Sequence, residues 1–514
     1  MRVLRPISAG PIAVLFAVMT PAVAASAAEN QKADNPRGIQ EYLGPQYDAA
    51  QVEPPAPAAP FHTTSAADRF RHWNTIAVDA SGLDHTPVQP GEDRVFGEQL
   101  GPGRAARAEA IVHIAIADAV ASIRGGFRRY TNVPNAPAGA SVHTAIATAA
   151  AEALSAMFPS QRRTFARLLA EDLIDAPGTA QQKARGILAG HRAAAAILAL
   201  RANDGSNHPE PRMDIEYIPG LEPGVWRQDP ISQVPIALGA HWGEVRPFVL
   251  ASASQFRVPP FPPMTSAAYA TAFNEVKRLG GDGEVTPTER NADQTHIGIY
   301  WAYDGTPSLC APPRLYNQIA RKISERSTDV VSLARLFALL HVSMSDAGVA
   351  IWESKYFYKI WRPVGGIREA DEGTGPSGDG DGNPNTAGDA DFSPLGAPAS
   401  NLTGPNFTPP FPAYPSGHAG FGGALFETLR KFYGRDNVAF TFTSDEFNGE
   451  TRDNDGNVRP LLPRSFTSFS QAEEENGQSR IYLGIHWSFD KTEGIAQGRR
   501  VADYVFAHAF QRTR

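Results

Sequence analysis

Apolar residues recur at three- and four-residue intervals through several alanine-rich stretches of the chain, the spacing of one buried helix face. In 104–123 they fall at Ile111, Ile114, Ala115, Ala119 and Ile123, with Asp118 interrupting the stripe. The same habit runs through 142–157, 163–173 and 181–202, the last closed by Asn203, Asp204 and Gly205. High alanine content favours helix and close helix packing. Segments 267–277, 313–326 and 328–361 also read as helices, and the chain turns helical again after Tyr482, through 499–510. Between the two groups, 219–263 is rich in proline and aromatics, including Trp226 and Trp242, and predicts a long irregular crossing. The periodicity predicts an all-α fold without fixing the number of helices.

The first 60 residues follow a different pattern. Residues 1–28 read as a secretory signal: Arg2 and Arg5, a short apolar run over 12–19, then small residues at Ala22–Ala24 or Ala25–Ala27. The run falls short of the roughly 20 apolar residues of a membrane span. No later segment is expected to be long and apolar enough to span, so an exported protein, periplasmic or secreted, is expected. Residues 29–60, rich in Pro, Ala and Gln, predict an extended, loosely attached segment.

Composition narrows the function classes. In 514 residues, 42% hydrophobic and 20% charged content describes a globular protein with a sizeable core. A net charge of -7 argues against nucleic-acid binding. Cys310 is the only cysteine, so an intramolecular disulfide is impossible, and a small buried residue is the expected role. His113, His143 and His191 lie within the early helical segments; no partners recur at ligand spacing, so interior or surface histidines are expected rather than a metal site. The loop 371–391 and the Asp453–Asp455–Asn457 stretch fail the calcium-loop pattern and read as solvated loops.

The chemistry gathers in three segments. Pro415-Ser416-Gly417-His418 sets a hydroxyl, a flexible amide and a titratable ring in sequence, which suits an oxyanion held beside a moving proton. Upstream, Lys355 precedes Arg362-Pro363 by seven residues; on a helix both heads share a face. Downstream come Ser479-Arg480, His486 and Asp490, the last two again a helical turn apart. The set is three permanent cations, a hydroxyl, two histidines and a carboxylate.

This ordered triple resembles the signature of the vanadium-dependent haloperoxidases and the type 2 phosphatidic acid phosphatases, without a substitution. The aromatics around Lys355, the Phe-Thr-Pro-Pro-Phe-Pro-Ala-Tyr lead-in and Tyr-Leu-Gly-Ile-His-Trp are similar to the chloroperoxidase branch, over residue 292 to the end. The resemblance implies two helical bundles, here 61–255 and the catalytic 256–514, with long loops around the site. It implies vanadate as cofactor, with phosphate able to occupy the same site. Lys355, Arg362, Arg480, Ser416, the Gly417 amide and His418 would surround the anion, and His486 would ligate the metal. Catalytic roles fall to His418, Lys355 and His486. Asp490 would hold the far ring nitrogen of His486, and Asp304 would pair with Arg480. Phe411 and Trp352, as in chloroperoxidases, would form the halide pocket. Lys359 is expected to be structural. The implied partners are hydrogen peroxide, a halide and an organic acceptor. The alternative implied by the same signature is an exported soluble acid phosphatase with a phosphohistidine at His486; an anion-binding scaffold without chemistry would not need both histidines and Asp490.

Overall fold

The computed structural model of the chain describes residues 38–47 and 61–513. The signal-like segment, most of the expected extended segment and the C-terminal residue lie outside the described residues. Among the described residues the fold is helical, apart from one two-stranded antiparallel ribbon. In that ribbon β1 (Phe440–Phe442) pairs with β2 (Arg464–Phe466), Phe440 opposite Phe466.

The N-terminal group comprises α1 (Ile39–Leu43), α2 (Ala66–Asp84), α3 (Gly101–Arg124), α4 (Val142–Met157), α5 (Arg162–Asp175) and α6 (Ala180–Arg201). Side-chain caps start several of these: Ser65 accepts from Asp68 N, and Thr179 and Gln182 form a reciprocal capping box. Asp118, which breaks the apolar stripe of α3, pins the loop after the helix. Its buried carboxylate accepts from Tyr130 N, Thr131 N and the Thr131 hydroxyl.

The C-terminal group comprises α7 (Ala267–Leu279), α8 (Ala292–Tyr300), α9 (Pro312–Ile323), α10 (Val330–Tyr358), α11 (Pro363–Arg368), α12 (Gly417–Tyr433), α13 (Phe469–Tyr482) and α14 (Ser488–His508). The 29-residue α10 is the axis of the molecule: α3 packs on one side of it, α12 and α14 on the other. It is apolar all round, as a helix surrounded by protein must be. By length and composition α10 could cross a membrane, which corrects the expectation that no segment after the signal could; here it is largely buried against neighbouring helices. One contiguous apolar core runs from Ile111 and Ile114 of α3 through Phe337 and Leu340 of α10 to Phe421 and Leu425 of α12.

The crossing segment holds no α-helix between α6 and α7, as its composition predicts. It is fastened by Asp346, buried in mid-α10, which accepts from the backbone amides of Phe248, Val249 and Leu250 at 2.5–3.0 Å. Helices α12 and α14 approach to backbone contact: a Cβ on Gly498 would collide with the Gly420 carbonyl. That contact brings the start of α12 against the start of α14, where the site forms.

Part of the 29–60 segment departs from expectation. Residues 38–47 are not loosely attached: Ile39, Tyr42, Leu43 and Tyr47 are buried. Tyr47 donates to the Pro405 carbonyl, and Gln46 Nε2 to the Ile231 carbonyl. Burial of four large side chains, roughly 1.5–3 kcal/mol each for full burial, outweighs the local polar composition on which the expectation rested.

Candidate active site

Lys355, Arg362, Ser416, Gly417, His418, Arg480, His486 and Asp490 all converge on one buried place, through local geometries that the sequence spacing only partly anticipates. Lys355 ends α10; Lys359 then turns left-handed, with φ +53, and is exposed, away from the site. The chain therefore leaves the helix before Arg362, which is the N-cap of α11. Lys355 and Arg362 meet across a turn, not along one helix face, a correction to the seven-residue argument. His486 and Asp490 likewise do not share a helix face: His486 precedes α14, and Asp490 is its third residue, accepting from Trp487 N. The first-turn carboxylate reaches back over the helix entrance, and His486 Nδ1 lies 2.8 Å from Asp490 Oδ2.

Ser416 is the N-cap of α12, its hydroxyl accepting from Ala419 N, so Gly417 and His418 occupy the first helical turn. A helix N-terminus presents free amides and a partial positive charge to an anion.

The hydrogen bonds fix both histidine tautomers. Arg362 Nη1 lies 2.8 Å from His486 Nε2, and a guanidinium only donates. The Nε2 lone pair therefore faces the site, and the ring proton sits on Nδ1, donated to Asp490. His418 Nε2–H donates to the Ala302 carbonyl, which leaves Nδ1 bare, 3.9 Å from Asp304 Oδ1. Tyr316 and Asn476 both donate to the His418 carbonyl and hold its turn in place.

Asp304 forms a bidentate pair with Arg480 Nη2, at 2.7 and 2.8 Å, and so aims the rest of the guanidinium inward. Lys355 Nζ spends two protons on the Pro412 and Ala413 carbonyls, leaving the third. Arg362 Nε donates to Phe411 O.

Burial and charge crowding set the electrostatics. Burial, then the neighbouring Arg362 and Arg480, hold Lys355 well below its ordinary range, with Asp490 opposing. Burial pushes Arg362 down to about 9. Both histidines are held well below the usual imidazole range, His486 by burial and then Arg362, and His418 by burial and then Arg480. Burial raises Asp490 to about 7. These five groups are driven toward their neutral forms, the condition that an anion among the cations relieves.

The donor set fits a tetrahedral oxyanion. Arg362 Nη2, Arg480 Nε and Arg480 Nη1 are buried without a protein partner. Buried orphan donors are rare and costly. These three belong to guanidinium groups already fixed by other bonds and share one cup. Trp352 and Phe411 lie beside it with ring centroids 4.9 Å apart, and the Lys355 ammonium is 5.1 Å from the Phe411 ring.

The other sequence candidates stay apart. His143 meets Arg69, and His191 pairs with Glu152, both away from the cup. Cys310 is buried beside Ser81 Oγ, and its thiol is pushed up to about 12 by burial; the nearest imidazole nitrogen, His85 Nε2 at 3.8 Å, accepts from Gly101 N. Among the described residues the calcium-like loops form no metal cluster, and Asp381 and Asn383 are buried stitches rather than solvated groups. Sequence reasoning did miss a clustering of Glu109, His113 and His341, with one ligand atom of each within 4.8 Å of the others. His113 and His341 stack at 4.1 Å with an 18° interplanar angle, which prevents both in-plane lone pairs from meeting at one ion. His113 also spends Nδ1 on the Glu109 carbonyl and Nε2 on Asn74. The interior-histidine expectation for His113 agrees with this geometry.

A helical fold with an anion cup between two imidazoles defines a class of oxyanion-binding enzymes, and comparison with known proteins narrows it. The model of the VCPO second helical-bundle domain matches residues 335–514. A vanadium chloroperoxidase of Curvularia inaequalis is 31% identical over 502 residues, covering 81% of this chain and 78% of that protein. The fold is similar to the first bacterial vanadium-dependent iodoperoxidase (TM-score 0.68, 21% identity, 89% of this chain and 100% of that one). It is also similar to a holo-type bacterial vanadium-dependent chloroperoxidase (TM-score 0.59, 17% identity, 82% and 95%). The chain belongs to the vanadium-dependent haloperoxidases. Vanadate is the cofactor that this membership carries, and the phosphatase alternative is not favoured.

Proposed function

We propose that this protein uses vanadate, held in the cup described above, to oxidise halide with hydrogen peroxide, giving hypohalous acid that halogenates an organic acceptor. The single observation carrying the reading is the set of buried orphan donors, Arg362 Nη2 and Arg480 Nε and Nη1, on guanidinium groups held beside His486 and His418. Vanadate, when bound, supplies a Lewis-acid centre that activates peroxide toward halide without itself changing oxidation state.

The chain's residues do the remainder. Lys355, Arg362 and Arg480 neutralise the anion's oxygens, with arginine offering forked donors. The Ser416 hydroxyl and the Gly417 amide add neutral hydrogen bonds. His486 presents Nε2 as the ligand nitrogen, and Asp490 keeps the proton on Nδ1 so that this lone pair stays available. Arg362 Nη1, which donates to His486 Nε2 in the structure, would have to release it for a ligand. His418 Nδ1 accepts the proton that peroxide gives up, and Asp304 lies close enough to stabilise the imidazolium so formed. Lys355, with its third N–H left by the Pro412 and Ala413 carbonyls, would hold an oxygen of the anion and place positive charge beside it.

Phe411 and Trp352 support a pocket that strips water from halide, and chloride as well as bromide is the proposed substrate. Export is proposed on the charged, apolar and small-residue order of residues 1–28.

The test is to purify the protein free of vanadium, add vanadate, and follow chloride and bromide oxidation by peroxide, with phosphate-ester hydrolysis run on the same sample. Halide oxidation that appears only with vanadate is expected. Brisk ester hydrolysis without vanadate, and no halogenation with it, would overturn the reading.

A further inference from the structure

We infer that the hydroxyl of Tyr42, carried by the N-terminal arm, is a specificity-determining hydrogen-bond donor for the halide. This rests on the haloperoxidase reading and adds a residue that lies some 300 positions before the three motifs.

Tyr42 lines the same cavity as His418, Arg480, His486, Trp352 and Phe411. Its ring is 3% exposed and stands edge-on to His85, with centroids 6.1 Å apart. Its hydroxyl lies against Gly305, where any Cβ would collide with it; Gly305, at φ +88, follows Asp304, the partner of Arg480. The arm is fixed at its other end as well. Gly44 abuts the Ser232 backbone, and Tyr47 packs edge-on to Phe407 while donating to Pro405. The hydroxyl is thus held rigidly at the cavity by a segment anchored on both sides.

The chemistry of the walls selects the ligand. One side carries the charged donors that the oxyanion consumes. The opposite side is apolar, with Leu238, Trp352, Phe407, Phe411 and Phe421. A halide entering there loses water and needs at least one donor in return. Of the other polar groups of this cavity, Trp352 Nε1 donates to Leu238 O, His418 Nε2 to Ala302 O, and Asp304 and His486 face Arg480 and Arg362; the orphan nitrogens of Arg480 belong to the oxyanion, and His418 Nδ1 is an acceptor. Cys310, Asp304 and Glu210 are the titratable neighbours of the Tyr42 hydroxyl. Burial, then those neighbours, hold it well above the usual phenol range, so it keeps its proton and remains a neutral donor at any working pH. A neutral donor suits a monovalent halide, because it does not compete for the oxyanion as a fourth cation would.

The experiment is Tyr42→Phe, which removes one oxygen and keeps the ring. Three quantities are read on vanadate-loaded protein: the halide KM against kcat, the vanadate affinity, and the anomalous signal of bromide soaked into crystals. A net hydrogen bond of about 1–1.5 kcal/mol predicts a rise of about tenfold in bromide KM. The kcat should stay within roughly twofold, and vanadate affinity should not move. Wild-type crystals should show bromide within hydrogen-bond reach of Tyr42 Oη, lost in the variant. An unchanged bromide KM, or bromide bound elsewhere in both proteins, would overturn the inference, as would a loss of vanadate affinity in the variant. Failure of the parent reading looks different: wild type loaded with vanadate would oxidise no halide, while the bromide position would still report on Tyr42.

Discussion

Helix α10 passes a buried histidine environment near its middle and another at its last turn, and the two behave differently. Around His341 lie His113, Glu109, Asn74 and Asn317, where two amide-to-imidazole bonds form but three acceptor oxygens, Asn74 Oδ1, Glu109 Oε2 and Asn317 Oδ1, stay unpartnered beside His341 Nδ1. About 14 residues along, roughly 21 Å of helix, Lys355 meets Arg362, Arg480, His418 and His486 in a set whose unanswered atoms on the guanidinium groups are all donors. Burial depresses the basicity of all four imidazoles, so a perturbed ring does not by itself mark a site. What separates them is the sign and convergence of the unpaired groups. Near His341 an orphan nitrogen faces an orphan carboxylate oxygen, and the rings stack. In the cup the balance is reversed: three orphan guanidinium nitrogens, all donors, against a single orphan acceptor, Asp490 Oδ1.

That contrast can be attacked directly. The largest effect is expected from Arg480→Ala, which removes two orphan donors and strands Asp304 without its partner. Loss of charge-assisted bonds worth about 1.5–3 kcal/mol each predicts vanadate binding weakened by a hundredfold or more. Equilibrium dialysis of vanadate measures it, and weakening of less than threefold would show that the orphan donors do not define the site. Asp490→Asn is next. It keeps the shape but frees the His486 tautomer, and a loss of about 10–100-fold in vanadate affinity is expected on the precedent of such outer partners. Retention of full affinity would mean that the Nδ1 bond is incidental.

The electrostatic half of the contrast has its own signature. An anion raises groups that burial and repulsion have lowered, so binding takes up protons. Vanadate affinity should therefore fall as pH rises through about 9, the value to which burial pushes Arg362, with Lys355 contributing in the same direction. Calorimetry in buffers of different ionisation enthalpy reads the uptake, and proton release on binding would reverse the sign of the argument. The smallest effect on binding belongs to His341→Leu. It should lower stability by about 1–3 kcal/mol through the amide it leaves unpaired and leave vanadate affinity untouched. A matching loss of vanadate would tie the middle of α10 to its last turn.

Which candidate residues come together was legible in the sequence, and their local geometry was not. Helix 142–157 could be delimited to the residue, because Ser141 caps it and alanines fill it. α12 and α13 were not recognised. The glycines that weaken the signal of α12, among them Gly420, are what let α14 approach. Arg362 and His486 reach the cup through a left-handed turn and a helix cap, which spacing alone reads as helix faces. Asp304 was anticipated from likeness and sits where that likeness implies, opposite Arg480. The docking of the arm bearing Tyr42 left no local signal. It depends on a bare backbone at Gly305 and on the loops at 229–232 and 404–407, far away in the chain.

The central claim is that segments from three parts of the chain close around one oxyanion with the Nε2 of His486 as its ligand. The direct measurement is vanadium bound per chain after gel filtration, for the wild type and for His486→Ala. One vanadium per wild-type chain and almost none in the variant is the predicted result; equal retention by both would contradict it.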